Sequence, residues 1–265
     1  MWRLIVKDTK ILPIPHSINL RTLAGYKSTD GRIVRTNKLL RSGNLSELSV
    51  IDAEKLATLY GVVTTIDLRT DAEILNEPDV LPKNTSYYHL PVLPFSDHAT
   101  FMQKLRRRFA RPLEPTLQMY KKMLTDSHAN AAYRDMFQLL INNTENDQAI
   151  LIHCSAGKDR TGLAVMLIEA ALGIPDETIR YDYMLSNYAL TASEGLNQIS
   201  QNNVYDRVEM MRNKPASDAN LQVVFSLIHS EYQSWKNYLQ LRLGLSATDL
   251  KTLRRIYLIK EGADL

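Results

Sequence analysis

The feature that most constrains this chain is a ten-residue loop between two apolar segments. The loop runs from His153 to Gly162 and holds Cys154, the only cysteine among 265 residues. The apolar run before it, Ala149–Ile152, predicts a short buried strand, and the run after it, Leu163–Leu172, predicts a helix. A strand, a tight turn and a helix N-terminus therefore meet at one thiol. Such an arrangement lowers the pKa of a cysteine and binds an oxyanion in the same place.

The residues of this loop have the properties that displacement of a phosphate monoester requires. Cys154 would supply a thiolate nucleophile, and backbone N–H groups would surround the phosphate because small residues allow a tight curve. Arg160 would add a planar donor matched to two phosphate oxygens. The Thr161 hydroxyl would hydrogen-bond the sulfur and ease its departure from a phospho-enzyme. The candidate phosphate-binding residues are Ser155, Ala156, Gly157, Lys158, Asp159 and Arg160.

Three other interpretations of the loop are weaker. A lone cysteine is usually buried and inert, but that interpretation leaves the glycine, lysine, aspartate and arginine at these spacings to chance. A nucleotide-binding loop would need Ser or Thr where Asp159 stands and a glycine five residues before Gly157. A rhodanese-like sulfur carrier also uses a loop cysteine, but the Arg160-Thr161-Gly162 ending suits phosphate better.

The rest of the chain predicts an α/β fold, with a mostly parallel central sheet flanked by helices. Strand-like segments occur at residues 33–35, 39–41, 62–69 and 87–90. Helical signals occur at residues 49–61, 163–172, 176–190, 221–243 and 246–260. Strands that alternate with helices favour a parallel sheet covered on both faces. Because there is no internal repeat or low-complexity segment, residues 1–265 are expected to form a single domain, in which about 98–146 form a helical insertion placed as a lid could be.

The loop resembles the cysteine-x5-arginine motif of the protein tyrosine phosphatase superfamily. Its Gly157-Lys158-Asp159-Arg160-Thr161-Gly162 portion is similar to the bacterial tyrosine and dual-specificity branch, which also resembles phosphoinositide phosphatases. Further similarity lies in Asn19-Leu20-Arg21 with Gly25, Leu40-Arg41-Ser42-Gly43, Ile66-Asp67-Leu68-Arg69 followed by Glu73, and Leu243-Gly244-Leu245-Ser246. The resemblance therefore spans nearly the whole chain.

The resemblance implies a phosphatase-like fold and a two-step hydrolysis through a phosphocysteine on Cys154, without a metal or another cofactor. It implies phosphotyrosine proteins as substrates, with phosphoserine, phosphothreonine and phosphoinositides in many members. Lys158 would favour substrates with extra phosphates, such as an inositol ring, unless it is a solvated surface lysine. A phosphoinositide phosphatase with incidental phosphotyrosine activity is the alternative. An inactive phosphate-binding module is more remote, because such modules commonly lose the cysteine or the arginine.

Three aspartates are candidates for the general acid that protonates the leaving group. The similar bacterial enzymes rely on the aspartate inside the motif, which is Asp159 here, and we favour it. Asp67 is its rival at the end of a strand, although Asp67 and Arg69 would equally form an ion pair that braces the loop. Asp97 is a more distant candidate.

Charge and hydropathy restrict the partners of the chain. A net charge of +3 and a pI near 8.8 are too mildly basic to indicate nucleic acid. No apolar run approaches the roughly 18 residues of a membrane-spanning helix. The basic segment at residues 104–111 would contact an anionic membrane surface at most weakly, and a solvated helix docked through Leu105 and Phe109 is favoured. A single cysteine and the lack of a signal sequence favour the cytoplasm, with export by another route left open, and the oligomeric state is not indicated.

Overall fold

A five-stranded sheet organises the computed structural model, which describes residues 10–95, 114–192 and 214–262. The strands are β1 (Arg21–Thr22), β2 (Arg32–Val34), β3 (Leu39–Ser42), β4 (Val62–Asp67), β5 (Ser86–His89), β6 (Ala149–His153) and β7 (Leu258–Lys260). The order in the sheet is β1-β3-β6-β4-β5, and β2 pairs separately with β7. Only β1 is antiparallel to its neighbour in the five-stranded sheet, so the predicted mostly parallel sheet is confirmed.

The central strand β6 delivers the loop to the carboxyl edge of the sheet. Its last residue, His153, lies beside Ser42 of β3 and Asp67 of β4. The carboxyl ends of three parallel strands therefore meet directly before Cys154. In open α/β sheets this edge is where ligands bind.

Helices flank the sheet, and several of them begin with a side-chain cap. They are α1 (Val50–Thr58), α2 (Asp71–Asn76), α3 (Pro115–Thr125), α4 (Ser127–Asn142), α5 (Arg160–Leu172), α6 (Asp176–Ala192), α7 (Asp218–Tyr232), α8 (Trp235–Leu241) and α9 (Ala247–Tyr257). The Ser49 side chain accepts the N–H of Asp52 at the start of α1, and Ser246 with Asp249 forms a capping box on α9. The residues that predicted the starts of α1 and α9 therefore form the expected caps.

Alternate residues of β6 point into two hydrophobic cores. Ala149 and Leu151 pack with α1 residues in the smaller core, whereas Ile150 and Ile152 pack with α5 and the later helices in the larger core. The sheet is thus covered on both faces. Because β6 is buried on both sides, the loop that follows it starts from a rigid position.

The described part of the predicted helical insertion is a layer of the fold. Residues 115–125 and 127–142 form α3 and α4 between β5 and β6, which confirms the helical prediction there. Tyr120, Met123 and Phe137 from these helices are completely buried in the larger core. These two helices are therefore held in place by packing, and residues 98–113 lie outside the described residues.

Two predicted helix boundaries were wrong. The helix expected over 221–243 is divided into α7 and α8, because Gln233 has a left-handed backbone with φ of +63° that ends α7. The last helix was expected to reach residue 260 but ends at Tyr257. The residues after it form β7, which pairs with β2 at Ile33 and Ile259. A long-range ladder therefore outweighs the helical periodicity at this end.

No helix among residues 10–95, 114–192 and 214–262 has the length and apolar character needed to cross a membrane. Two further predictions cannot be placed in the structure. The alternative acid Asp97 and the basic segment 104–111 lie outside the described residues.

Candidate active site

The loop expected to bind phosphate connects β6 to α5 and is almost completely buried. Cys154 directly follows β6 and is 2% exposed. Arg160 is the first residue of α5, so the loop amides lie at a helix N-terminus. All candidate residues from Cys154 to Thr161 lie in this loop and in the first turn of α5.

The curve of the loop depends on a close approach to β3. Gly157 has φ of +65°, and a Cβ at this position would lie 2.4 Å from the backbone carbon and oxygen of Ser42. The Asn44 N–H donates to the Ser155 carbonyl at 2.9 Å, which fastens the loop to the turn after β3. Only glycine fits this position, because both the conformation and the space exclude a side chain.

Buried polar side chains bind the carbonyls of the loop from behind. Asn19 Nδ2 donates to the Ala156 carbonyl at 3.1 Å and to the Gly157 carbonyl at 2.9 Å. Arg41 Nη2 also donates to the Gly157 carbonyl, at 2.7 Å. A trans peptide directs its N–H opposite to its carbonyl. The amides that follow these two carbonyls, those of Gly157 and Lys158, therefore point away from the Asn19 and Arg41 donors.

A buried carboxylate on α6 holds these donors in place. Asp182 forms ion pairs with Arg21 and Arg41, and all three side chains are at most 1% exposed. Arg21 also donates to the Asp182 carbonyl at 2.8 Å. Although burial raises the pKa of Asp182, the two arginines bring it below its ordinary value. This network connects the segments around Asn19 and Arg41 to the loop.

Arg160 is positioned by a carboxylate from α2. Its Nη1 and Nη2 each donate to a carboxylate oxygen of Glu73 at 2.7 Å, and Ser155 Oγ donates to the same carboxylate. Burial acts to lower the pKa of Arg160, but the charges of Cys154 and Glu73 outweigh it and raise that pKa. Burial likewise opposes ionisation of Glu73, yet the hydrogen bonds from Arg160 hold its pKa below the ordinary value. The pair stays charged beside the thiol.

Lys158 and Asp159 are the last two residues of the loop before α5. Lys158 is 1% exposed, donates to the Lys214 carbonyl, and places its Nζ 3.5 Å from Asp159 Oδ2. It is therefore not a solvated surface lysine. Asp159 is 6% exposed and accepts a hydrogen bond from Tyr120 Oη. Burial raises its pKa above the ordinary value, against the opposing effects of Lys158, Tyr120 and Arg160.

Asp67 and Arg69 form a completely buried ion pair at the end of β4. Arg69 Nε and Nη2 reach both carboxylate oxygens at 2.7–3.0 Å, and Tyr87 Oη donates to Asp67 at 2.8 Å. Burial would raise the pKa of Asp67, but His153 and Arg69 bring it down to about 2. Asp67, the alternative candidate for the general acid, therefore has a pKa far below neutral pH.

A group with metal-ligand chemistry occurs beside this pair. Ligand atoms of Asp67, Asp79 and His153 lie within 4.8 Å of one another. However, Arg69 Nη2 contacts both carboxylates and lies 2.7 Å from Asp67 Oδ2. Because a cation of the chain already bridges both carboxylates, the donor set fits an ion-pair network rather than a metal site.

One predicted contact is not formed. Thr161 Oγ1 is buried and has no hydrogen-bond partner among the described residues, so it does not bond to the Cys154 sulfur in this structure. Two functional contacts were missed. Glu73 was singled out only as part of a family segment, and Tyr120 carried no signal because it reaches Asp159 from another helix, 39 residues away.

Comparison with known proteins extends this picture to the whole chain. The sequence profile of the tyrosine phosphatase family matches residues 12–259. A Cupriavidus necator protein provisionally named a tyrosine-protein phosphatase is 33% identical over 171 residues, which are 64% of this chain and 60% of that protein. A tyrosine-protein phosphatase of Nostoc commune is 26% identical over 230 residues, 83% of this chain and 74% of its own. The triple specificity protein phosphatase PtpB of Mycobacterium tuberculosis is 27% identical over 195 residues, 66% of this chain and 68% of that protein.

The family match includes the loop and every partner of the loop described above. It begins at residue 12, before Asn19 and β1, and ends inside β7. The chain spans less than two thirds of the Cupriavidus relative's length, and the family profile matches one continuous range, residues 12–259. The resemblance seen in the sequence is thereby confirmed, and the chain belongs to the tyrosine phosphatase family.

Proposed function

We propose that the chain is a protein-tyrosine phosphatase of dual specificity, which hydrolyses phosphate monoesters through a phosphocysteine on Cys154. One observation carries this proposal. The Ala156 and Gly157 carbonyls of the loop accept hydrogen bonds from Asn19 and Arg41, and the loop carries its cysteine and Arg160 to the start of α5. This is a site for an oxyanion with a nucleophile built into it.

In the first step, the Cys154 thiolate attacks phosphorus and the bond to the leaving oxygen breaks. Asp159 gives its proton to that oxygen, so that a neutral alcohol departs. In the second step, water attacks phosphorus, the sulfur–phosphorus bond breaks, and the Asp159 carboxylate takes the proton from the water. Arg160 and the loop amides stabilise the charge on the remaining phosphate oxygens in both steps. Thr161 would assist the departure of the sulfur after a rotation of its unpartnered hydroxyl.

The assignment of Asp159 as the acid rests on the different states of the two aspartates. A donor must hold a proton near neutral pH. Burial raises the pKa of Asp159, whereas the pKa of Asp67 is about 2 and its oxygens are bound by Arg69 and Tyr87. Asp67 with Arg69 is therefore proposed as the brace at the end of β4. We propose no metal and no other cofactor for the reaction.

Lys158 supports a broader range of substrates. Its buried ammonium adds a second cation to the loop beside Arg160. A second cation favours substrates with several phosphates, so a phosphoinositide phosphatase with incidental phosphotyrosine activity is the second candidate. Phosphorylated proteins are the first, with phosphoserine and phosphothreonine included. A reducing compartment such as the cytoplasm would keep the catalytic thiol active.

The proposal is tested by phosphate release from phosphotyrosine, phosphoserine and phosphothreonine peptides and from phosphoinositide vesicles. The parent and Cys154→Ser are compared, and we expect turnover by the variant to fall below detection on every substrate. Equal turnover by Cys154→Ser would disprove the mechanism. Lys158→Met, with Lys55→Met on α1 as a matched control, separates the two candidates. A loss confined to phosphoinositides favours the lipid substrate, whereas an equal loss on peptides favours the protein.

A further inference from the structure

Two buried tyrosine hydroxyl groups and one asparagine amide, each on a different helix, form a chain of hydrogen bonds that ends at Asp159. Tyr120 Oη on α3 donates to Asp159 Oδ1, and it lies 2.8 Å from Tyr183 Oη on α6. Asn220 Nδ2 on α7 donates to Tyr183 Oη at 2.8 Å. Both tyrosines are completely buried, and their rings meet edge to face with centroids 6.3 Å apart.

The direction of the protons in this chain follows from the contact with Asp159. Tyr120 has one proton and donates it to Asp159 Oδ1, so at the contact between the two hydroxyl groups Tyr120 accepts and Tyr183 donates. The Asn220 amide in turn donates to Tyr183 Oη. Every hydroxyl in the series thus points toward the carboxylate, and each bond polarises the next.

The position of Asp159 makes this contact unusual. Asp159 is the N-cap residue of α5, where an aspartate ordinarily accepts an N–H from the first turn. Its side chain makes no such bond, and Tyr120 takes the place of the helix as its donor. The carboxylate is therefore turned away from the helix that it would otherwise cap.

We propose that Tyr120 is a positioning residue for the proton donor, which holds the Asp159 carboxyl off the α5 N-terminus and tunes its readiness to give and take a proton. This inference rests on the proposed role of Asp159. The charged and titratable groups that face Asp159 are Lys158, Arg160, Tyr120 and Tyr183. Among these, Tyr120 alone contacts Asp159 through a neutral hydroxyl group.

The first measurement is the pH dependence of kcat/KM for Tyr120→Phe. A hydrogen bond donated to a carboxylate favours its ionised form, so its loss should move the alkaline limb upward by about one pH unit. We also expect kcat to fall about tenfold on phenyl phosphate and much less on p-nitrophenyl phosphate. The second leaving group needs less help from an acid. A change in leaving-group dependence is a signature that a structural defect would not produce.

The chain offers a matched control in Tyr133. It is equally buried in the same core, but its hydroxyl has no hydrogen-bond partner among the described residues. Tyr133→Phe should leave both the pH profile and the leaving-group dependence unchanged. Tyr183→Phe should shift the alkaline limb in the same direction as Tyr120→Phe by a smaller amount, and it serves as the test if Tyr120→Phe does not fold.

The outcomes separate this inference from the proposed function. Turnover by Cys154→Ser would remove the proposed function itself. If Asp159→Asn abolishes the alkaline limb but Tyr120→Phe and Tyr183→Phe leave it in place, the acid stands and the role of Tyr120 is refuted. An equal loss by Tyr120→Phe on both leaving groups, with an unmoved alkaline limb, also refutes it.

Discussion

The pKa values of two buried aspartates, one at the end of β4 and one in the loop before α5, are shifted in opposite directions. Asp67 ends β4 and faces the Arg69 fork, whose Nε and Nη2 lie within 3.0 Å of its oxygens, and its pKa is about 2. Asp159 begins α5 and faces one hydroxyl group and an ammonium 3.5 Å away, and its pKa is raised. Burial acts to raise both pKa values, so the geometry of the partners decides the difference.

The contrast shows that an arginine next in sequence does not ensure an ion pair. Arg160 follows Asp159 directly, but its Nη1 and Nη2 both bind Glu73. Asp159 is thereby left with the single ammonium of Lys158, 3.5 Å away, instead of an arginine fork, and burial raises its pKa. The ion pair of Glu73 with Arg160 therefore serves two purposes. It holds the Arg160 fork in place, and it keeps that fork from forming an ion pair with Asp159.

The largest expected effect comes from Asp159→Asn. The variant keeps the shape of the side chain but has no proton to give, so kcat/KM on phenyl phosphate should fall about a thousandfold, within the range for general acids. The alkaline limb of the pH profile should disappear. Steady-state kinetics between about pH 4 and 9 measure both effects. Asp67→Asn is the control, and an alkaline limb that vanishes in this control instead would reverse the assignment.

The same pair of aspartates should differ in stability. Asp67→Asn leaves Arg69 buried without its main counter-charge, which should cost about 3 kcal/mol in the free energy of unfolding. Urea denaturation at neutral pH measures this loss. Asp159→Asn removes a carboxyl that is not held in a bidentate ion pair, so its stability should change less. Equal losses in the two variants would contradict the contrast.

The pH dependence of unfolding sharpens this second test. The pKa of Asp67 is about 2 in the folded chain, below the ordinary value of about 3.9. A carboxyl with a depressed pKa stabilises the fold above its unfolded pKa, and this contribution is lost as the pH falls through the folded pKa. The parent should therefore lose stability between about pH 4 and 2 more steeply than Asp67→Asn. Parallel curves would show that Asp67 is not the group that titrates.

How far the sequence predicts the site depends on the separation of the contacting residues. Cys154, Gly157 and Arg160 lie within one loop, so their spacing alone indicated the chemistry. The partners that set their states come from distant segments, as Glu73 and Tyr120 do, 87 and 39 residues from their loop partners. No local pattern distinguishes Tyr120 from other core tyrosines, because only the packing of α3 against α5 brings its hydroxyl to Asp159.

The same reasoning explains which parts of the fold were predicted. Strand β4 has a run of β-branched residues and β6 a continuous apolar run, and the capped starts of α1 and α9 have their signals within four residues. The strand β7 was missed, because it forms only through pairing with β2, more than 200 residues earlier. The helical periodicity of the sequence continues past Tyr257, but the pairing of β7 with β2 ends α9 at that residue.

The smallest expected effect concerns Lys158, the one cation among the described residues that forms an ion pair with Asp159. Lys158 Nζ lies 3.5 Å from Asp159 Oδ2, a looser arrangement than the Arg69 fork on Asp67. A nearby cation favours the carboxylate, so Lys158→Met should raise the pKa of Asp159 and move the alkaline limb of kcat/KM upward by about half a pH unit. Lys158→Arg should restore the parent profile. A downward shift in Lys158→Met would mean that another group, and not Asp159, carries the alkaline limb.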